Sequence, residues 1–372
     1  MMLAIQNSKF YTQGELQTGA VLLLCEGRIK DVITGPIPEG YEVYDAGGAL
    51  LCPGFLDLQI YGSGGDLFSA FPTAETLKQM DDDLAAKGTV GFLVCVATNS
   101  PEIVREAIAA AKAYIPHARG FLGLHLEGPF LNPARLGAHV AEYVHTATLG
   151  EVRELIDGSE GVVKMMTVAH ELQEKVVIDY LLDQGIVLSL GHSDATFEQA
   201  NDAYAAGFTT TTHLFNAMPS IHHRSPNLPS AVLLHPTAMA SIIADGAHVD
   251  FNIVKLAYKL MQGRLFLITD AVTACNVGPY QHQLRGSRYT TPEGTISGSN
   301  ITLLDAVSNC VNICDIPLPE ALKMAAELPA KLMGLSSDYG MIAKGQLASF
   351  LLLDDNLKLK QVFIKGLQFD PV

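Results

Sequence analysis

Short apolar runs alternate along this chain with segments carrying a helical stripe, and that alternation sets the fold prediction. The runs cover 54–59, 90–97, 121–126, 162–168, 186–190, 209–212, 239–244 and 265–269, of which 209–212 is strand-like as four β-branched threonines. The intervals 74–87, 102–114, 149–157, 172–184, 197–206 and 252–262 place apolar residues near a 3.6-residue spacing, which predicts amphipathic helices. Strands that are apolar on both faces and alternate with helices belong to a parallel sheet covered on both sides. Eight such units predict an α/β fold of the (β/α)8 TIM-like barrel type. Two more helical patterns, 301–315 and 319–335, follow the eighth run and are expected to seal the barrel.

The two ends of the chain read differently. Residues 3–12, 20–33 and 41–45 form short strand patterns divided by Gly and Pro, without a helical period. Segments 349–354 and 360–366 match them in kind. Pairing between the ends predicts a small appended β-sandwich domain of residues 1–51 and 345–372, with the barrel spanning 52–344.

Composition narrows the function. A chain of 372 residues with 48% hydrophobic content can bury a large core. Its six cysteines, Cys25, Cys52, Cys95, Cys275, Cys310 and Cys314, form no Cys-x-x-Cys pair, so buried free thiols are expected rather than a disulfide framework or zinc ribbon. A net charge of −15 disfavours nucleic acid and anionic membranes as partners. The first ten residues lack the pattern of a signal peptide, and no apolar stretch approaches the roughly 20 residues of a membrane span. A cytoplasmic protein is expected.

Chemistry gathers at the strand ends. Glu127 closes the third run, His192 follows the fifth, His213 the sixth and Asp270 the eighth. In a (β/α)8 barrel these positions meet at one mouth. One carboxylate and two imidazoles around an open position is how catalytic zinc is commonly held, so Glu127, His192 and His213 are the candidate ligands. Any one of them alone reads as a hydrogen-bonded polar residue; four converging strand ends argue for a site. Asp270 has three readings, as a further ligand, a structural cap or the general base, and the base is favoured because hydrolysis needs a proton acceptor beside the activated water. The metal expected is one divalent ion per chain, Zn2+ first, with Fe2+, Co2+ or Mn2+ also compatible with this donor set.

The motifs Pro53-Gly54-Phe55-Leu56-Asp57, His125-Leu126-Glu127-Gly128-Pro129-Phe130, Gly137-Ala138-His139, Leu190-Gly191-His192-Ser193, residues 212–218 (Thr-His-Leu-Phe-Asn-Ala-Met), residues 244–250 and Thr269-Asp270-Ala271 together resemble the N-acetylglucosamine-6-phosphate deacetylases of the amidohydrolase superfamily. The resemblance spans nearly the whole chain. It implies metal-dependent hydrolysis of the acetamide of N-acetylglucosamine 6-phosphate to glucosamine 6-phosphate and acetate. It assigns Glu127, His192 and His213 to the metal, Asp270 to acid/base work and His139 to steadying the carbonyl oxygen as it gains charge. Asn216, the backbone at Ala217, Arg224 and His248 would hold the sugar and its phosphate, Arg suiting a dianion through its planar fork. A homodimer is implied too, with the phosphate site completed by the neighbouring subunit.

Departures and rival readings complete the picture. Where two-metal relatives carry His-x-His after the first strand, this chain has Gln59-x-Tyr61, neither a good ligand, hence the expectation of one metal. His125 shares the strand face of Glu127 by the two-residue period and reads as a packed barrel histidine slightly ahead of a ligand. His222 and His223 flank Arg224 in a loop, outside the family pattern, and their roles stay open. His117, His145, His170, His235 and His282 read as surface or packing residues. Gly62-Ser63-Gly64-Gly65 lacks the lysine and spacing of a P-loop, and Ser297-Gly298-Ser299 reads as a turn or a substrate-facing loop. The rivals are an N-acetylgalactosamine 6-phosphate deacetylase, another amidohydrolase such as a deaminase or cyclic amidase, and a catalytically silent barrel that binds a sugar phosphate.

Overall fold

Eight parallel strands follow one another around a barrel in chain order, each paired with the next. They are β1 (Phe55–Ile60), β2 (Thr89–Ala97), β3 (Phe121–Glu127), β4 (Val163–Val168), β5 (Val187–Leu190), β6 (Thr210–Thr211), β7 (Met239–Ile242) and β8 (Leu265–Leu267). The computed structural model describes residues 2–12, 14–286 and 288–371. Closure comes just past the strand ends, where Asp270 N donates to the Gln59 carbonyl (3.0 Å) and Tyr61 N to the Ala271 carbonyl (2.9 Å). The predicted barrel is therefore present, and the same two hydrogen bonds that close it bring the ends of β1 and β8 together.

The helices start where the sequence supplies caps. Thr73, Ser100, Thr148, Thr196, Asp250 and Thr302 each accept a first-turn backbone N–H and open α1 (Ala74–Ala86), α2 (Pro101–Tyr114), α3 (Leu149–Asp157), α5 (Phe197–Ala205), α7 (Phe251–Leu260) and α8 (Leu303–Asn312). Thr196 with Gln199 and Thr302 with Asp305 form reciprocal caps. Helix α4 spans Lys175–Asp183, and α9 (Leu318–Ala325) with α10 (Glu327–Leu332) follows α8. Among the described residues no helix is long and apolar enough to cross a membrane.

Two elements were not expected. Helix α6 (Asn227–Leu234) links β6 to β7, and Leu228 through Leu233 are buried all round, so no polar stripe announces it. Between β8 and α8 the chain makes a three-stranded antiparallel sheet of Gln283–Arg285, Arg288–Thr290 and Ile296–Ser299. Strands of three or four residues with exposed polar members leave too little period to read.

Strands from both chain ends make two further sheets. One runs Arg28–Ile33, Val21–Cys25, Met2–Gln6, Glu42–Asp45 in spatial order. The other runs Leu367–Phe369, Leu359–Ile364, Phe350–Leu353, Leu50–Pro53, Lys9–Thr12, Glu15–Thr18. Period-2 alternation sorts their side chains: Phe350, Leu352 and Phe363 pack with Leu3, Ile5, Leu22 and Leu24, whereas Leu351, Leu353, Val362 and Ile364 belong to the barrel's core. This second sheet is apolar on both faces and binds the two layers together.

Candidate active site

Glycine and backbone strain aim the side chains. At Gly191, between β5 and His192, a Cβ would come within 2.7 Å of Thr212 Cβ and 2.8 Å of Thr167 Cγ2, so no side chain fits. His192, His213 and Asp270 then adopt φ values of 46°, 31° and 55°. Left-handed backbone in non-glycine residues costs about 1–3 kcal/mol each and clusters at functional sites. Three such turns directly after β5, β6 and β8 swing these side chains inward over the barrel mouth, where they line one cavity with Glu127, His139 and His248.

The carboxylate of Glu127 lies at the centre and is 2% exposed. Its Oε1 is 3.0 Å from His213 Nε2 and 3.3 Å from His192 Nε2, and the two imidazole nitrogens are 3.1 Å apart. Its Oε2 faces His139 Nε2 at 3.0 Å and accepts from the Tyr61 hydroxyl. Burial alone would raise the Glu127 pKa, but His139 and His192 outweigh it and hold the carboxyl well below its usual range. His213 is raised, because Glu127 overcomes its burial. His192 is pushed down to about 4 by burial, with His139 adding to the effect.

These contacts test the fit of a cation. His192 Nδ1–H donates to the Arg135 carbonyl (2.8 Å), which leaves the Nε2 lone pair facing the Glu127 carboxylate oxygen. Two acceptors meeting at that distance repel unless a cation lies between them. His213 Nδ1 is buried without a partner among the described residues. A carboxylate oxygen and two imidazole nitrogens at these separations suit a small divalent ion with bonds of about 2.0–2.2 Å. Glu127, His139 and His192 also form a compact candidate cluster. Against ligation by His139, its Nδ1 accepts the Thr98 N–H (3.3 Å), so Nε2 carries the proton and donates to Glu127. His139 is an aimed donor.

Asp270 lies beside this triangle. Its Oδ1 accepts from Gln59 Nε2 (2.9 Å), and the same amide nitrogen is 3.0 Å from Glu127 Oε1. Burial raises the Asp270 pKa, opposed by His213 and His248. His248 Nε2 is 3.9 Å from Asp270 Oδ2, while its Nδ1 donates to Asp245 (2.7 Å), whose other oxygen accepts the Ala247 and His248 backbone N–H groups.

Other sequence candidates fall into place or apart. Asn216 and Ala217 line the cavity. Arg224 does not: it is exposed, in a loop with His222 and His223 that is exposed as well. His125 is fully buried below the site, with Nδ1 donating to the Leu58 carbonyl (3.0 Å) and Nε2 accepting from Thr167 (2.7 Å), so it is a packed barrel histidine. His282 is not at the surface. It is 5% exposed and lines the cavity with Tyr280 and Ser297.

Sequence reasoning passed over several residues that act here. Gln59 and Tyr61 are poor metal ligands by residue type, yet both donate to the central carboxylates. Thr98, the Arg135 carbonyl and Asp245 orient His139, His192 and His248. Only the Asp245–His248 pair, three residues apart around a glycine, carried a local signal.

Imidazoles and carboxylates converging on the C-terminal mouth of a parallel barrel define a metal-assisted hydrolase. The model of the amidohydrolase family matches residues 50–368, and the chain belongs to that family. An N-acetylglucosamine-6-phosphate deacetylase from Vibrio furnissii is 32% identical over 333 residues, covering 86% of this chain and 83% of the relative. An N-acetylgalactosamine-6-phosphate deacetylase from Escherichia coli O157:H7 is 30% identical over 344 residues, 89% of this chain and 90% of that protein. The crystal structure of N-acetylglucosamine-6-phosphate deacetylase from Pasteurella multocida superposes with a TM-score of 0.94 at 29% identity, over 100% of both chains.

Proposed function

We propose that this chain hydrolyses the acetamide of N-acetylglucosamine 6-phosphate, releasing acetate and glucosamine 6-phosphate. The observation that carries this reading is the Glu127–His192–His213 triangle with Asp270 beside it, in a chain so similar to deacetylases along its length. A divalent ion held by Glu127, His192 and His213, Zn2+ first and Fe2+, Co2+ or Mn2+ after it, would supply Lewis acidity and lower the pKa of water.

The chain's own residues divide the remaining work. Asp270 takes a proton from the attacking water and returns it to the departing amine; its raised pKa brings the carboxyl nearer to neutral pH, where a carboxyl exchanges protons best. His139, with its proton on Nε2, donates to the carbonyl oxygen as it gains charge. Gln59 bridges Asp270 and Glu127 and keeps the two carboxylates at a set distance.

A phosphate dianion needs a cation, and the cavity wall has neither lysine nor arginine among its described residues. Asn216, the Ala217 backbone and His248 supply hydrogen-bonding contacts. Exposed Arg224 supplies the charge if it reaches the site of a second subunit, which supports a homodimer. The test is acetate release by metal-loaded protein from N-acetylglucosamine 6-phosphate, its C4 epimer and the unphosphorylated sugars. We expect turnover that depends on the phosphate; equal rates without it would overturn the phosphosugar reading. The E. coli relative makes the C4 epimer the second reading, and the ratio of kcat/KM values decides between them.

A further inference from the structure

With the acetamide at C2 and the phosphate at C6 assigned, a hexosamine 6-phosphate keeps hydroxyls at C1, C3 and C4 that a specific enzyme must recognise. We propose that His282, paired with Ser297, is a specificity-determining residue that reads one of these ring hydroxyls. The inference rests on the phosphosugar reading above.

Both residues line the cavity from the insertion between β8 and α8, His282 just before its first strand and Ser297 within its third. His282 Nδ1 is 2.8 Å from Ser297 Oγ, and Nε2 has no partner among the described residues. The backbone of His282 is pinned by two hydrogen bonds with Cys275 (2.8 and 3.1 Å), and its ring stacks on Tyr280 at 6.4 Å and 19°. The side chain is therefore held in place before any ligand arrives. The insertion itself is tied to the reacting groups, since Ser299 N donates to the Asp270 carbonyl (2.9 Å).

The chemistry of the pair matches a hydroxyl. If Nδ1–H donates to Ser297, Nε2 is an acceptor and the serine proton turns outward; if the serine donates, Nε2–H is the outward donor. In either arrangement a neutral imidazole and a hydroxyl present one acceptor and one donor, the complement of an alcohol. Neighbouring polar groups are otherwise engaged: Tyr280 OH donates to the Thr98 carbonyl (2.5 Å), and His139 faces Glu127. A site built to hydrogen-bond a substrate hydroxyl rejects the analogue that lacks it, because its own polar groups are then buried unpaired.

The experiment compares acetate release from N-acetylglucosamine 6-phosphate and its 1-, 3- and 4-deoxy analogues by wild type, His282→Phe, Ser297→Ala and His282→Gln. We expect wild type to prefer the parent over one deoxy analogue by about tenfold or more in kcat/KM. That preference should vanish in His282→Phe and Ser297→Ala and persist in His282→Gln, which keeps a donor and an acceptor. Ser297→Ala is the small change that keeps the test valid if His282→Phe does not fold. Active variants that retain the wild-type preference against all three analogues overturn this inference alone. Absence of acetate release by wild type from any phosphosugar overturns the proposed function, and this inference with it.

Discussion

Two residues apart on β3, His125 and Glu127 point into the same barrel and meet opposite fates. Around His125 every group has its complement: Leu58 carbonyl, imidazole, Thr167, Thr212 and Ser189 form one chain of hydrogen bonds at 2.5–3.0 Å. Burial presses the His125 pKa to about 4, and the neutral ring fits. One layer up, two imidazole nitrogens and a carboxylate oxygen face one another, and Gln59 must bridge two carboxylates. Buried polar groups make structure in the layer where donors match acceptors, and in the layer where they do not the arrangement suits a cation.

Removing the ion is the largest blow to this contrast. Chelation should abolish acetate release and lower the melting temperature, by about 2.7 kcal/mol of stability where the ion had been at 100 times its Kd; elemental analysis and thermal melts check both. Unchanged melting after complete metal removal would mean that the upper layer is as self-sufficient as the lower. Next comes Asp270→Asn, expected to retain the metal and lose turnover by about 10²-fold or more. Full activity in metal-replete variant would remove Asp270 from proton transfer.

The lower layer should fail in the other currency. His125→Ala leaves the Leu58 carbonyl without its imidazole donor and Thr167 with Thr212 as its remaining partner, at about 2 kcal/mol of stability in denaturant titration, while folded variant keeps its metal and turns over within about threefold of wild type. Loss of metal with intact folding would break the separation of layers.

The smallest effect concerns Asp57, fully buried on β1, where it accepts from the Thr269 hydroxyl (2.5 Å). Burial raises its pKa from 3.8 to about 7. At pH 6 the unfolded carboxyl is ionised while the folded one still holds its proton, so stability falls as pH rises and levels off above about 7. The loss between pH 6 and 7 is about 1 kcal/mol. Thermal melts of Asp57→Asn against wild type should show a shallower slope in the variant; parallel slopes would mean that Asp57 stays ionised.

What could be read before folding follows the range of the forces. Most barrel strands were legible because burial on both faces leaves largely apolar runs, the sixth as a β-branched run of four threonines, and most helices because caps and stripes are local. Helix α6 escaped because it has no polar face, and the 283–299 sheet because its strands are too short. At the site, Glu127, His192, His213 and Asp270 were legible as strand-end residues. Gln59 and Tyr61 were not: their partners lie 66 to 211 residues away, and only closure of β1 on β8 brings an amide between two carboxylates. His282 reads in the sequence as a surface or packing residue, and only the folded insertion sets its ring against the cavity.

The amino-acid order by itself determined the barrel, the sheet-forming ends and the strand-end positions of Glu127, His192, His213 and Asp270, because periodicity and strand-end position act over a few residues. Tertiary structure alone decided which polar groups are satisfied and which are left facing one another. It kept Arg224 out of the cavity and brought His282 into it. Hydrogen-bond complementarity between segments distant in sequence is a property of the closed barrel, and no local pattern encodes it.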